Sequence, residues 1–134
     1  MRREEAAAFI EKEHHGVLVT LLPDGRPHAA PIVYAASGGF AEISTTRGRV
    51  KTKNLMRDPR AALCVLPESG WYPYLSAEGR AELVEDPDGQ KNLALYRRIT
   101  GRDPDDLGEY LQAMRRERRL IIRLAIERLY PLDG

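Results

Sequence analysis

Two apolar segments joined by an Asp-Gly turn constrain this chain more than any other feature. Residues 16–22 read GVLVTLL, residues 27–34 read PHAAPIVY, and Pro23-Asp24-Gly25-Arg26 lies between them. Asp-Gly supplies the positive φ that a tight hairpin needs, so the two segments are predicted as paired antiparallel strands. Pro27 and Pro31 carry no N–H for a ladder, which places the second strand at an edge or an irregular position. Ser37-Gly38-Gly39 is a further turn, and 40–46 (FAEISTT) alternates as a third strand. The apolar run 61–66 (AALCVL) reads as a buried strand. Residues 71–84 contain a long strand, with Leu75, Ala77, Gly79, Ala81 and Leu83 on one alternating set. Residues 119–130 are the last strand, with Leu124, Ile126, Arg128 and Tyr130 on one face.

Four helices fall between these strands. Residues 2–13 set Ala6, Phe9 and Ile10 on one face, load Glu4 and Glu5 into the first turn and stop at Gly16. Residues 49–57 form a short basic helix ended by Asp58-Pro59. Asp86-Pro87-Asp88 starts a helix that runs to about Thr100. Residues 105–117 place Leu107, Tyr110, Leu111 and Met114 on one side. Six strands at roughly 8–12-residue spacing, with tight early turns, predict an antiparallel barrel or sandwich. The helices come singly or as a late pair, so the pattern is not an alternating βαβ one. The 134 residues read as a single domain, 1–134, with no repeat and no long linker.

Composition narrows the function. A hydrophobic share of 43% with 31% charged residues excludes wholesale disorder. Lys+Arg number 21 against 20 Asp+Glu, and a near-neutral total argues against a nucleic-acid-coating protein. One cysteine, Cys64, excludes a disulfide framework and a cysteine-rich zinc site, and its apolar run makes it a small core residue. No apolar run approaches ~20 residues, so no membrane helix is expected. The charged, Ala-rich start is not a secretory signal, and the protein is read as cytoplasmic.

The chemistry concentrates at Ser44-Thr45-Thr46-Arg47-Gly48-Arg49-Val50-Lys51-Thr52-Lys53-Asn54-Leu55. From 47 to 60 there are six basic residues (Arg47, Arg49, Lys51, Lys53, Arg57, Arg60) against one acidic residue, Asp58. A strand ending in hydroxyls, then a glycine and a helix start carrying cations, suits a phosphate. The competing reading is a solvated basic helix. It is not a Walker loop, because the glycine pattern is absent. No nucleophile–base pair and no metal motif appears: His14 and His15 are adjacent, His28 stands alone, and no HExxH or CxxC occurs. Glu42, Glu78 and Glu82 lie on strands, where alternation more often turns them outward. No catalytic side chain is assigned. Trp71-Tyr72-Pro73-Tyr74 either stacks on a planar cofactor or plugs a barrel end. Arg115, Arg116, Arg118, Arg119 and Arg123 either bind an extended anion or form a salt-laced helix end.

Several stretches in order resemble one family: Gly16-Val17-Leu18-Val19-Thr20 with Asp24-Gly25-Arg26-Pro27, then the stretch from Arg49 to Leu55 with Arg57-Asp58-Pro59-Arg60. They continue in Tyr74 with Glu78-Gly79-Arg80-Ala81, Tyr96-Arg97, and Tyr110-Leu111-Gln112-Ala113-Met114. The chain is similar to the pyridoxamine-phosphate-oxidase-like split β-barrel superfamily. Within it, it most resembles the small single-domain branch of deazaflavin (coenzyme F420)-dependent enzymes. The resemblance implies a mainly β (α+β) fold: a six-stranded antiparallel split barrel of the FMN-binding type with peripheral helices. It implies a homodimer with cofactor in two interface clefts. Arg49 and Lys51 would hold phosphate, with Val50 between them and Asn54 nearby. Ser44 and Thr45 would lie against the ring or its ribityl chain, and Ala30 and Pro31 would line the ring. The second subunit would contribute the segment holding Trp71 and Tyr74.

True pyridoxamine phosphate oxidases carry Ser-Arg-Lys where this chain has Arg49-Val50-Lys51. They also have substrate-phosphate and C-terminal Trp/Arg segments that this chain lacks. These departures weaken vitamin B6 oxidation as the activity, and the resemblance to the deazaflavin branch implies hydride transfer between coenzyme F420 and a small conjugated organic substrate. FMN-dependent oxidoreduction is the alternative cofactor reading. A flavin- or deazaflavin-binding protein without turnover is the non-enzymatic one.

Overall fold

The computed structural model describes residues 1–132. The hairpin at Asp24-Gly25 forms: β1 (His15–Leu21) pairs antiparallel with β2 (Pro27–Val33), from His15 opposite Val33 to Leu21 opposite Pro27. Gly25 takes φ 89°, and the Asp24 carboxylate accepts from the Arg26 amide at 3.1 Å. After Tyr34 the chain forms a short strand, β3 (Ala35–Ser37), and turns through Gly38 and Gly39 into β4 (Phe40–Thr45). The sheet therefore has seven strands where the sequence predicts six. Three residues are too few to show a period, so β3 merges with its turn when read from sequence. The other strands are β5 (Arg60–Leu66), β6 (Leu75–Val84) and β7 (Leu120–Tyr130). Helices α1 (Arg3–Lys12), α2 (Val50–Arg57), α3 (Gln90–Thr100) and α4 (Leu107–Arg116) lie close to their expected places. None of them is long and apolar enough to cross a membrane.

The strand order is β2-β1-β5-β6-β7-β4-β3, antiparallel at every step. Its two end strands, β2 and β3, are consecutive in the chain. The curled sheet is thus closed by backbone through Tyr34 and not by a hydrogen-bonded ladder, which is the split of a split barrel. Prolines are tolerated in β2 because one of its edges needs no donors. Tyr34 is fully buried and held three ways. Its hydroxyl donates to the Ile10 carbonyl at 2.7 Å, its amide to the His14 carbonyl at 2.9 Å, and its own carbonyl accepts from His14 Nδ1 at 3.0 Å. Burial, then the nearby Glu13 charge, pushes its phenol above the usual range. The barrel interior is filled by alternate residues of the strands, among them Leu18, Ile43, Leu63, Leu75, Ile122 and Leu124, with Ala6 and Ile10 of α1 and Leu55 of α2 joining that core.

One expected face is corrected. In the β6–β7 ladder Glu78 faces Arg128 but Gly79 faces Ile126, so Glu127 is an extra residue on β7. One extra residue reverses the alternation beyond it. Leu129 packs on the core, while Arg128 is exposed and Tyr130 turns outward. Gly79 sits opposite this bulge because the backbones approach too closely for a side chain. A Cβ there would lie 1.8 Å from the Ala125 carbonyl oxygen.

Gly79→Ala is expected to lower stability by at least the ~1–3 kcal/mol typical of overpacking, measured as a urea midpoint. Gly48→Ala, which meets nothing within 4 Å, is the control. Equal midpoints for the two variants would contradict the close approach.

Candidate functional site

Buried polar contacts seat α2 on the barrel. Asn54 Nδ2 donates to Thr20 Oγ1 of β1 at 3.0 Å. Thr52 and Thr45 share a hydroxyl–hydroxyl bond of 2.8 Å that ties the helix to the end of β4. Arg57 closes the set by donating to Asn54 Oδ1 at 2.9 Å and to the Leu21 carbonyl. Thr20, Thr45, Thr52 and Asn54 are all buried, so the Asn54–Thr20 and Thr52–Thr45 bonds are made away from competing water, whereas the Arg57 bonds lie toward the surface. The helix start is thereby fixed beside β4, with Arg49 at the cap, Lys51 in the first turn, and no acidic residue or side-chain cap to satisfy its free amides.

A cavity of about 290 Å³ opens at this point. One side is apolar: Pro31, Ile32 and Val33 from β2, Ile43 from β4 and Ile99 from α3. The other side carries Ser44, Thr45, Arg49, Lys51 and Arg119. Among the described residues no carboxylate lines it. Among the described residues neither Arg49 nor Lys51 is in an ion pair. Burial, then Arg49 and Arg119, pushes the Lys51 ammonium below its usual range. A half-buried cation among other cations is poorly compensated until an anion arrives. A larger cavity of about 430 Å³ lies at the β7 bulge. There Arg60, Arg80 and Arg128 alternate with Glu78 and Glu127, so no single sign of charge prevails.

Five of the residues singled out from sequence meet at the cationic cavity: Pro31, Ser44, Thr45, Arg49 and Lys51. Ala30 is half-buried on the opposite face of β2 from Pro31. Val50 is exposed and outside the lining. Asn54 sits behind the cavity, holding α2. Trp71 and Tyr74 lie on the exposed loop between β5 and β6 and do not line this chain's own cavity, with Trp71 74% exposed. Ile32, Val33, Ile43, Ile99 and Arg119 line it without having been singled out as site residues. For Arg119 the signal was the arginine cluster, which also has the salt-laced character expected of it: Arg119 Nε donates to Glu117 at 3.0 Å. The apolar residues carry no signal that separates them from core.

The remaining reactive types lie elsewhere. His14 is engaged with Tyr34. Cys64 is not the core residue its apolar run suggests: alternation in β5 turns Leu63 and Val65 inward and leaves Cys64 half-buried on the outer face, where partial burial still pushes its thiol up, away from the reactive thiolate. Among the described residues no three His, Cys, Asp or Glu side chains converge to hold a metal ion.

Known proteins share this architecture. The chain is 29% identical over 128 residues to the F420H(2)-dependent biliverdin reductase of Mycobacterium tuberculosis (strain CDC 1551 / Oshkosh), covering 94% of this chain and 85% of that protein. A solved F420 reductase superposes with a TM-score of 0.72 at 28% identity, covering 92% of this chain and 94% of that one. A conserved hypothetical protein from Mycobacterium tuberculosis superposes with a TM-score of 0.77 at 29% identity, covering 96% and 82%. The sequence pattern of one family, described as pyridoxamine 5'-phosphate oxidase, runs through residues 3–133, from α1 past the end of β7. With a barrel closed at Tyr34 and a cationic cavity at its split, the chain belongs to the pyridoxamine 5'-phosphate oxidase family.

Proposed function

We propose that this chain is a coenzyme F420-dependent oxidoreductase whose cationic cavity receives the phosphate of the coenzyme. The observation that carries the reading is the lining itself: Arg49, Lys51 and Arg119 face one space with no carboxylate among them, against a wall of Pro31, Val33 and Ile99. Cations beside an apolar wall suit a ligand that joins an anionic group to a flat apolar body. The two F420-dependent relatives support the choice of coenzyme. When bound, the reduced deazaflavin supplies a hydride for a small conjugated substrate.

The residues divide the work of holding it. Arg49 offers a two-pronged donor and Lys51 a point charge. The Thr45 hydroxyl is committed to Thr52, so its backbone is what remains for a ligand. Pro31 borders the ring, with Val33 extending the apolar wall, while Ala30 on the other face of β2 supports the strand from behind. Asn54 holds the helix in place, and Val50 spaces Arg49 from Lys51. The absence of an assigned acid or base is consistent with cofactor chemistry, in which protein groups bind, orient and exclude water.

The same reading includes a second copy of the chain. The outer face of β2, β1 and β5 presents Ala29, Pro31 and Val33 beside Val17 and Val19, then Ala62 and Cys64. These residues are exposed or half-exposed and nearly all apolar. Pro31 and Val33 belong both to this face and to the cavity, so a partner packed on the sheet would border the site. The partner's Trp71–Tyr74 loop would then complete the wall, and residues 1–134 would act as one cofactor-binding domain. A monomer in sedimentation velocity would contradict this shared cleft.

Fluorescence titration with coenzyme F420 and with FMN tests the assignment. Binding of coenzyme F420 is expected. Binding of FMN alone would transfer the reading to an FMN enzyme, and binding of neither would end it. Binding without reduction of any tested enone or quinone would leave a carrier in place of an enzyme. Lys51→Ala is expected to weaken coenzyme binding by ~1.5–3 kcal/mol, the range of a charge-assisted hydrogen bond. An unchanged dissociation constant would contradict the phosphate site. The pH dependence has a definite sign. An anion favours the charged ammonium, so affinity should fall as pH rises through the depressed Lys51 value, below the 10.5 of an ordinary lysine. Lys51→Arg should remove that fall, because a guanidinium stays charged throughout.

A further inference from the structure

We infer that Arg119 is a third residue gripping the bound anion, and that the buried amide of Asn92 positions it through Ser44. The inference rests on the phosphate-site reading above and adds a residue and a supporting chain of bonds to it.

Arg119 is held at its backbone and at its side chain. Helix α4 ends with Arg118 at φ 52°, in the left-handed region. The Arg119 amide donates to the Met114 carbonyl at 3.0 Å and the Arg118 amide to the Arg115 carbonyl at 3.1 Å. That is the six-to-one and five-to-two pattern of a Schellman ending, with arginine where glycine is usual. It fixes where the Arg119 side chain leaves the chain. The guanidinium then uses Nε on Glu117 at 3.0 Å and Nη1 on Ser44 Oγ at 3.4 Å. Among the described residues its Nη2 has no partner, and the side chain lines the cationic cavity.

The Ser44 contact has a buried origin. Asp86 is 3% exposed and Asn92 1%. Asp86 Oδ2 accepts from the Asn92 amide at 2.8 Å and from Asn92 Nδ2 at 2.7 Å. With Nδ2 committed to a carboxylate, the other end of the amide, Oδ1, faces Ser44 and accepts a hydrogen bond from its hydroxyl. Ser44 Oγ is left to Arg119 as an acceptor. A chain of Asp86, Asn92, Ser44 and Arg119 thus runs from the start of α3 across β4 to the cavity. A pair with exposed Glu117 alone would be a surface ion pair, which fixes little. The bond to Ser44 draws the guanidinium over the cavity, against the repulsion of Arg49 and Lys51. That placement is useful only with an anion between the cations.

A competing explanation is that Arg119 merely stabilises the C-terminal end of α4. It predicts a change in melting temperature without a change in ligand affinity. The test is titration of the full chain with coenzyme F420 by fluorescence and with inorganic phosphate by calorimetry. Arg119→Gln, which keeps most of the stem, should weaken both by about tenfold to a hundredfold and make the salt dependence of binding shallower. Asn92→Leu should weaken binding in the parent protein but have no further effect in an Arg119→Gln background. A purely structural role would persist in both backgrounds. Where Asn92→Leu does not fold, Ser44→Ala takes its place in the cycle. Unchanged affinity in Arg119→Gln with weakened affinity in Lys51→Ala would overturn the role of Arg119 and leave the phosphate site standing. Unchanged affinity in both would overturn the site itself.

Discussion

The hydrogen bond from Asn54 to Thr20 is the contact on which the site's geometry depends. Leaving either group unpaired in the interior would cost about 1–3 kcal/mol, so the helix has one strongly preferred seat. Surface charge contributes much less. Arg60 pulls the neighbouring Asp58 carboxyl down to about 2, yet that pair is solvated and adds little to the hold on the helix. The start of α2 is therefore set by buried neutral groups, with Arg57 engaged only at its far end, and Arg49 and Lys51 stay out of these contacts. Had the helix start been held by Arg49 and Lys51, their charge would have been consumed in the fold.

Closure of the barrel explains why a cavity exists there. A ladder between the end strands would zip the sheet shut. Here the chain itself bridges them at Tyr34, and β2 keeps one edge unpaired. Residues 31–33 of β2 and 43–45 of β4 then border a gap that α2 covers from one side. Pro31 belongs at such an edge, since it has no amide hydrogen to leave unsatisfied. The feature that interrupts the sheet also supplies the apolar wall of the site.

Local chemistry was readable in advance and long-range placement was not. The turns at Asp24-Gly25 and Gly38-Gly39, the strand alternation and the basic start of α2 all announce themselves within a few residues. The β7 bulge does not, because one extra residue at Glu127 leaves the letters alternating while the faces exchange. The glycine on the facing strand, Gly79 opposite Ile126, is the clue the sequence holds. Arg119 and Ile99 escaped for a different reason. Their roles come from α3 packing behind β4, with α4 on α3, which joins Ser44 to Asn92 across 48 positions of sequence. No pattern in a window of a dozen residues carries that. The cations of the proposed phosphate site are legible twice, as a local run of charge and through the family resemblance, whereas the proposed ring-lining positions rest on the resemblance alone.

The most direct test of the account is a crystal structure of the chain loaded with coenzyme F420. The account predicts the coenzyme's phosphate within hydrogen-bonding distance of the Arg49 and Lys51 side chains, in the gap bordered by Pro31 and Ser44. A phosphate bound elsewhere, with both side chains turned to solvent, would contradict it.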